Sequence, residues 1–532
     1  MKHEGTGMMK RMLWIFSLCL ILYSCKEPLT EEVQAEIQVI PRPQVITVLE
    51  GTFEMTSKTS IKANRDLMVQ AEQLRDYLSP ASGYVLPINK RHTGGNLIEL
   101  KLLDELSTLG EEGYEMTITS KKVLITAHRP KGIIWGIQTL RQLFPVEILR
   151  EAAVDDVAWE LPCVNILDKP RFEWRGLMID YSRTFWNISH TKKYIDALSY
   201  YKMNRLHMHL TDDQGWRIEI EKYPALTEIA SQFDTVYHEP REREGYYSRE
   251  DIRELVRYAE ARGVELIPEI EMPGHTTEVF AAYPELSCTG DTLSVHPFFM
   301  GPGIHNEIFC AGKKETFEFL ENVLSEVSEL FPSEYIHIGG DEAPKVLWKT
   351  CPHCQRVIKE YSLKDEDELQ SWFIRQVEGY IQSKGKKLIG WDEITEGGLS
   401  GTATVMFWRA GMENALLSAV EQGNMVILTP TSHCYFDYTY DRISTEKVYS
   451  LESIIDKIET LNPGKILGVQ ANFWSHIDRT EPGMDRQIFP RLLVLAEVGW
   501  TEALNREWDH FSPRLEHHYQ SLDLLDIYYT DE

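Results

Sequence analysis

The apolar and polar positions divide the chain into two rhythms. Between residues 38 and 165 short strands and helices mix. Tyr114–Thr119 and Lys122–Ala127 each alternate with period two, which predicts a hairpin, and Gly132–Phe144 places Ile133, Ile134, Ile137, Leu140 and Phe144 at helical spacing. This predicts a small α+β domain. From Arg171 onward short apolar runs alternate with amphipathic stretches. Strands are predicted at Gly176–Asp180, Arg205–Leu210, Glu265–Ile270, Tyr335–Ile338, Lys387–Trp391, Thr404–Trp408, Met425–Leu428 and Ile466–Gln470. Helices are predicted between them, at Thr191–Tyr201, Glu250–Arg262, Thr316–Leu330 and Asp367–Lys384. Eight strands alternating with helices over residues 170–505 define an α/β chain with a (β/α)8 TIM barrel. A doubly wound sheet would show a glycine-rich phosphate turn after its first strand, and Asp180-Tyr-Ser-Arg-Thr184 stands there instead. Residues 506–532 read as a C-terminal tail segment.

Composition narrows the partners. Asp and Glu number 82 against 55 Lys and Arg, a formal charge of −27, and no basic block interrupts it. No nucleic-acid partner is expected of such a chain. Residues 1–25 carry Lys2, Lys10 and Arg11 before a short apolar run that ends in Leu22-Tyr-Ser-Cys25. That is the layout of an export signal, and its end resembles a bacterial lipobox with Cys25 as lipidation site. The expected product is an exported lipoprotein, anchored at the periplasmic or outer face of a membrane and touching it only through the lipid. Export permits disulfides. Cys288 and Cys310 flank a loop rich in Gly and Pro, where a bridge would stabilise by about 3 kcal/mol. Cys351-Pro-His-Cys354 lacks a second pair at zinc-site spacing and reads as a local disulfide or two free thiols.

The chemistry gathers where predicted strands end, the face on which barrel enzymes place their sites. The second strand runs into His207-Met-His209-Leu-Thr-Asp212-Asp213-Gln-Gly-Trp216-Arg217, and the third into Glu271-Met-Pro-Gly-His275. The fourth ends in His337-Ile-Gly-Gly-Asp341-Glu342, the fifth in Gly390-Trp391-Asp392-Glu393, the sixth in Trp408-Arg409 and the eighth in Ala471-Asn-Phe-Trp474. Indole walls and hydrogen-bonding edges suit a sugar, whose pyranose ring has apolar faces and hydroxyl rims. Asp341 and Glu342, as neighbours on one strand, are expected to diverge. They then cannot flank a glycosidic bond as two opposed carboxylates do.

These motifs resemble glycoside hydrolase family 20, the β-N-acetylhexosaminidases. The resemblance runs over residues 38–505 and includes the small domain as the family's accessory domain. It implies exo-hydrolysis of terminal β-linked GlcNAc or GalNAc from a glycan or oligosaccharide, by substrate-assisted retention and with no cofactor or metal. It implies Glu342 as general acid and base, and Asp341 as the partner of the acetamide N–H. By the same resemblance Arg175 grips ring hydroxyls, and Tyr435, in Cys434-Tyr-Phe-Asp437, donates to the acetamide oxygen. Trp391, Trp408 and Trp474 enclose the sugar, Asp437 belongs to the same binding set, and His275, Glu271 and the Asp212–Asp213 pair support Glu342 from behind. The sequence departs from the family at Glu271, where Asp is common, and at His476, where relatives carry Glu. The second change implies a relaxed 4/6-hydroxyl subsite or one that accepts a 6-sulfate. Two rivals stand beside this reading: a metal-dependent barrel hydrolase built on His207 and His209, and a non-catalytic glycan-binding lipoprotein.

Overall fold

The computed structural model describes residues 37–89, 96–238, 243–297, 303–477 and 479–531. The export signal and Cys25 lie outside the described residues. Among the described residues no helix is long and apolar enough to cross a membrane.

The N-terminal unit is a six-stranded sheet. Its order is Val45–Glu54, Glu160–Asp168, Tyr114–Thr119, Lys122–Ala127, Leu97–Leu102, Ser60–Ala63. The predicted hairpin is present and closes at Thr119 opposite Lys122. The predicted helix runs Pro130–Leu143. It is buried along ten of its residues because the sheet covers one side and the barrel the other. Gly132 permits this approach, since a Cβ there would lie 2.3 Å from the Gly113 carbonyl oxygen.

All eight predicted barrel strands form, as Trp174–Asp180, Arg205–His209, Glu265–Glu269, Tyr335–His337, Lys387–Trp391, Thr404–Phe407, Val426–Leu428 and Ile466–Phe473. They close in chain order into a parallel barrel. The helices that return the chain begin at chemically defined points. Asn187 caps Ile188–Tyr200, a Ser248–Asp251 capping box opens Arg249–Ala261, and Asp365 caps Glu366–Ser383. The barrel interior is graded. Trp174, Ile267, Tyr335, Ile389, Met406, Ile427 and Leu467 form an apolar plug. The layer on the C-terminal side is polar, with Glu269 contacting His207 at 3.0 Å, His209 at 2.6 Å and His337 at 2.8 Å.

Two expectations change here. Residues 506–532 are not a loose tail: Trp508–Leu524 is a helix whose Phe511, Leu515 and Leu522 are buried, and Arg514 pairs with Glu497 at 2.6 Å. Arg175 is not in a sugar pocket. It is the second residue of the first strand, fully buried at the opposite end of the barrel, where it meets Glu112 of the N-terminal unit at 2.6 Å. Its other donors satisfy the Phe172 and Lys202 carbonyls. Burial opposes the Glu112 charge, but Arg175 and Lys131 overcome it and hold that carboxyl at about 2. The pair is therefore an ionised brace between the two domains. Beside it Lys202 binds Asp168 at 2.9 Å, and the Trp500 indole donates to the same carboxylate at 2.8 Å.

Candidate active site

The fourth strand is three residues long because Gly339 and Gly340 take positive φ values of 66° and 95°. Side chains are excluded there: a Cβ on Gly339 would fall 1.6 Å from Glu271 Oε2, and one on Gly340 2.6 Å from Ile394. Glu342 itself sits at φ 41°, a conformation that costs an L-residue about 1–2 kcal/mol. The expectation that the two acids simply diverge is corrected by this turn. It brings Glu342 back so that both carboxylates approach His275 Nε2, Asp341 at 3.7 Å and Glu342 at 3.5 Å. They differ in exposure. The Asp341 side chain is 13 % exposed and that of Glu342 35 %, so Asp341 faces the interior and Glu342 the mouth.

His275 links this pair to the second strand. Its Nδ1 lies 3.2 Å from Asp213 and 3.4 Å from Asp212. Asp213 in turn accepts from the Thr277 hydroxyl at 2.8 Å and the Thr277 N–H at 3.1 Å. Burial disfavours the imidazolium, but Asp212, Asp213 and Glu342 together raise His275 well above its ordinary range. Asp212 also binds Arg183 at 2.6 Å and His209 at 3.0 Å. Glu271 is buried under Gly339. Burial, reinforced by Asp341, raises its carboxyl well above normal.

Opposite the acids stands an aromatic wall. Trp391 and Trp474 have ring centroids 6.0 Å apart, Trp474 and Tyr435 6.3 Å, and Tyr435 and Trp408 6.1 Å. Tyr435 is held by a parallel bridge to Asn472 of the eighth strand. Asp437 is buried nearby, and burial pushes its carboxyl up to about 7. A cavity of about 410 Å3 opens over Glu342 and is lined also by Ile304, Lys345, Glu393, Trp408 and Arg409. The buried Asp341 Oδ1, Asp437 Oδ1 and His476 Nδ1 have no hydrogen-bond partner among the described residues, so the site offers hydrogen-bonding capacity the fold does not consume.

Asp341 organises the electrostatics. Burial raises its own carboxyl to about 6, with Glu269 and Glu342 adding to the effect against His275. Burial also raises Glu393 to about 9, and the Asp341 charge reinforces it. A site that concentrates carboxyl groups in low dielectric is built to stabilise positive charge.

The structure thus brings together Asp341, Glu342, Trp391, Trp408, Tyr435, Asp437, Trp474 and His476, with Asp212, Asp213, Glu271 and His275 behind them. Two residues were missed. Arg183 lies three positions after the end of the first strand, pairs with Asp180 and Asp212, and stacks over Trp474 at 5.1 Å. Its place after a strand end, against Arg175 near a strand start, was the readable signal. Glu393 receives the Trp408 indole N–H at 2.8 Å. The His207 and His209 pair faces Glu269 inside the barrel, not the cavity. Cys288 and Cys310 do not form the expected disulfide. Both thiols are free and are joined by those of Cys351 and Cys354.

A barrel with a carboxylate pair at one strand end and an aromatic wall of Trp391, Trp474, Tyr435 and Trp408 at its C-terminal face is a carbohydrate-active hydrolase. Sequence comparison gives the particular family. Glycosyl hydrolase family 20, catalytic domain, matches residues 172–503, and domain 2 of the same family matches residues 36–169. The chain belongs to glycosyl hydrolase family 20. It is 37 % identical to a Beta-hexosaminidase of Porphyromonas gingivalis over 98 % of this chain and 68 % of that protein. The GH20 beta-N-acetylhexosaminidase of Streptomyces coelicolor superposes with a TM-score of 0.82 at 29 % identity, over 93 % of this chain and 98 % of that one. A mutant Streptomyces plicatus beta-hexosaminidase solved in complex with product (GlcNAc) does so with the same score and identity, over 93 % and 97 %.

Proposed function

We propose that this glycoside hydrolase is an exo-β-N-acetylhexosaminidase that removes terminal β-linked N-acetylhexosamine by substrate-assisted retention. The observation that carries the reading is the Asp341–Glu342 pair, a buried anion and a more exposed acid on successive residues, facing an aromatic wall. In this scheme Glu342 protonates the leaving oxygen while the acetamido carbonyl of the substrate attacks the anomeric carbon. The glycosidic C–O bond breaks as a bond forms between the acetamido carbonyl oxygen and the anomeric carbon, giving an oxazolinium ion and the protonated leaving alcohol. Asp341 accepts the acetamide N–H and offsets the positive charge that develops on it. The Tyr435 hydroxyl donates to the carbonyl oxygen. Glu342, now a carboxylate, takes a proton from water as it opens the ring with net retention. His275, held cationic by the aspartates, keeps both acids in place.

Arg183 takes the hydroxyl-binding role first expected of Arg175. Arg183→Ala is expected to reduce kcat/KM by about 10- to 100-fold, chiefly through KM, which is the worth of charged hydrogen bonds to a sugar. Arg175→Met is expected to leave kinetics of the folded enzyme unchanged and to lower Tm, since buried Glu112 would keep Lys131 as its ion-pair partner but lose Arg175, and breaking a buried pair costs up to about 3–5 kcal/mol. Thermal unfolding and kinetics of the two variants distinguish the roles. A raised KM with unchanged Tm in Arg175→Met would return that residue to the sugar.

At His476, burial and the neighbouring Arg183 depress the imidazole to about 4, so it is neutral at physiological pH. With an imidazole rather than a carboxylate at this position, we infer that the site tolerates a 6-O-sulfate. Release of 4-nitrophenol from the β-GlcNAc glycoside and its 6-sulfate tests both statements. Turnover of each with similar kcat/KM is expected. A strong preference for the unsulfated sugar removes the tolerance, and no turnover of either by folded protein removes the hexosaminidase reading in favour of glycan binding alone.

A further inference from the structure

We propose that Cys288, Cys310, Cys351 and Cys354 bind one zinc ion, which clasps the loops after the third and fourth barrel strands together. All four sulfurs lie within 4.8 Å of one another. The Cys310–Cys354, Cys310–Cys351 and Cys288–Cys354 separations are 3.6, 3.7 and 3.8 Å. Four thiolates at zinc-bonding distance on a tetrahedron stand about 3.8 Å apart. A sulfur–sulfur bond would need about 2.05 Å, and no pair approaches it.

The backbone builds this arrangement. Ser287 and Phe309 form an antiparallel bridge and the Cys310 N–H donates to the Leu286 carbonyl at 2.9 Å, which sets Cys288 beside Cys310. Cys351 is the residue before the helix Pro352–Glu360, and the spacing to Cys354 turns both sulfurs to one side of its first turn. The two loops are locked face to face. The Trp348 indole donates to the Phe309 carbonyl at 2.9 Å, and Arg356 donates to the Gly312 carbonyl at 2.9 Å. Gly312 is the point of closest approach, where a Cβ would lie 2.1 Å from the His353 carbonyl carbon and 2.4 Å from the Cys354 nitrogen.

Donor type selects the metal. Four thiolates in a tetrahedral set suit zinc, and a closed set with no open position is a structural site. Cys310, Cys351 and Cys354 are buried, so the set is shielded from exchange with external thiols. The clasp lies beside the catalytic mouth: the loop bearing Cys310 also carries Ile304, and the one bearing Cys351 carries Ala343, Pro344 and Lys345, all lining the cavity. It is separate from the catalytic groups, so loss of metal acts on stability before chemistry.

The test is metal analysis of the folded chain purified without chelator, with non-reduced peptide mapping. About one zinc per chain is expected, released by an organomercurial, with all four cysteines recovered as thiols. Exchange for cobalt is expected to give the intense visible bands of a tetrahedral thiolate site. Cys288→Ser and Cys354→Ser are each expected to lose the metal and to lower Tm. Should either variant fold poorly, the cobalt spectrum of the parent chain decides. Disulfides among these cysteines with no bound zinc, or full zinc retention in both variants, overturns the proposal.

Discussion

Glu342→Gln is expected to lower kcat on an alkyl or oligosaccharide β-GlcNAc glycoside by about 10²- to 10⁴-fold, the range general acid–base catalysis supplies. The amide keeps the size of the side chain and a contact to His275, which lies 3.5 Å from the carboxylate, but it carries no transferable proton. The loss depends on the leaving group. A 2,4-dinitrophenolate departs without protonation, so the first step on that substrate survives in the variant while hydrolysis of the oxazolinium remains slow. Azide, a nucleophile that needs no general base, is expected to restore turnover of that substrate and to yield the β-glycosyl azide. Glu342 is the more exposed of the pair, so an external anion reaches the face it serves. An equal loss on every leaving group, with no azide product, would assign Glu342 a binding role instead.

The barrel was legible because parallel strands buried on both faces read as short apolar runs. The ends of those runs, where Asp341, Trp391, Trp408 and Trp474 stand, are where a barrel exposes its chemistry. Arg175 was misplaced for want of the same test. It belongs to the start of its strand, and at that end a charge meets the neighbouring domain, here Glu112. The helix Trp508–Leu524 did carry a signal, with Phe511, Leu515 and Leu522 at helical spacing, hidden among charges that its exposed side keeps in water. The cysteine cluster was the hardest to read. Only Cys351 and Cys354 are local. Cys288 and Cys310 were legible as a pair across the loop they flank, but their meeting with Cys351 and Cys354 joins two separate loops, and contact between loops leaves no periodic trace. The turn at Gly339–Gly340 was visible as composition, but its effect, which is to fold Glu342 toward His275, needs the φ values.

Asp341→Asn is expected to lower kcat by about 10²- to 10³-fold with a small change in KM, because the charge it removes matters most when the acetamide nitrogen becomes positive. The surroundings are arranged around that charge. Burial raises Glu271, Glu393 and Tyr435, and the Asp341 anion reinforces each, so these neighbours stay neutral and the site holds a concentrated rather than a dispersed negative field. The same burial raises Asp341 to about 6. Its carboxylate is the working form, so kcat/KM is expected to fall as pH drops through about 6, well above the point at which an ordinary aspartate protonates. The Asn variant has no such group and should lose this acid limb. His275 supplies a cation that opposes the rise in Asp341. Replacing it with Gln is therefore expected to move the limb to higher pH, with a loss of activity at pH 7 that partly recovers at pH 8. A limb that stays in place in Asp341→Asn would assign the titration to another carboxyl, with Asp437 at about 7 the next to replace.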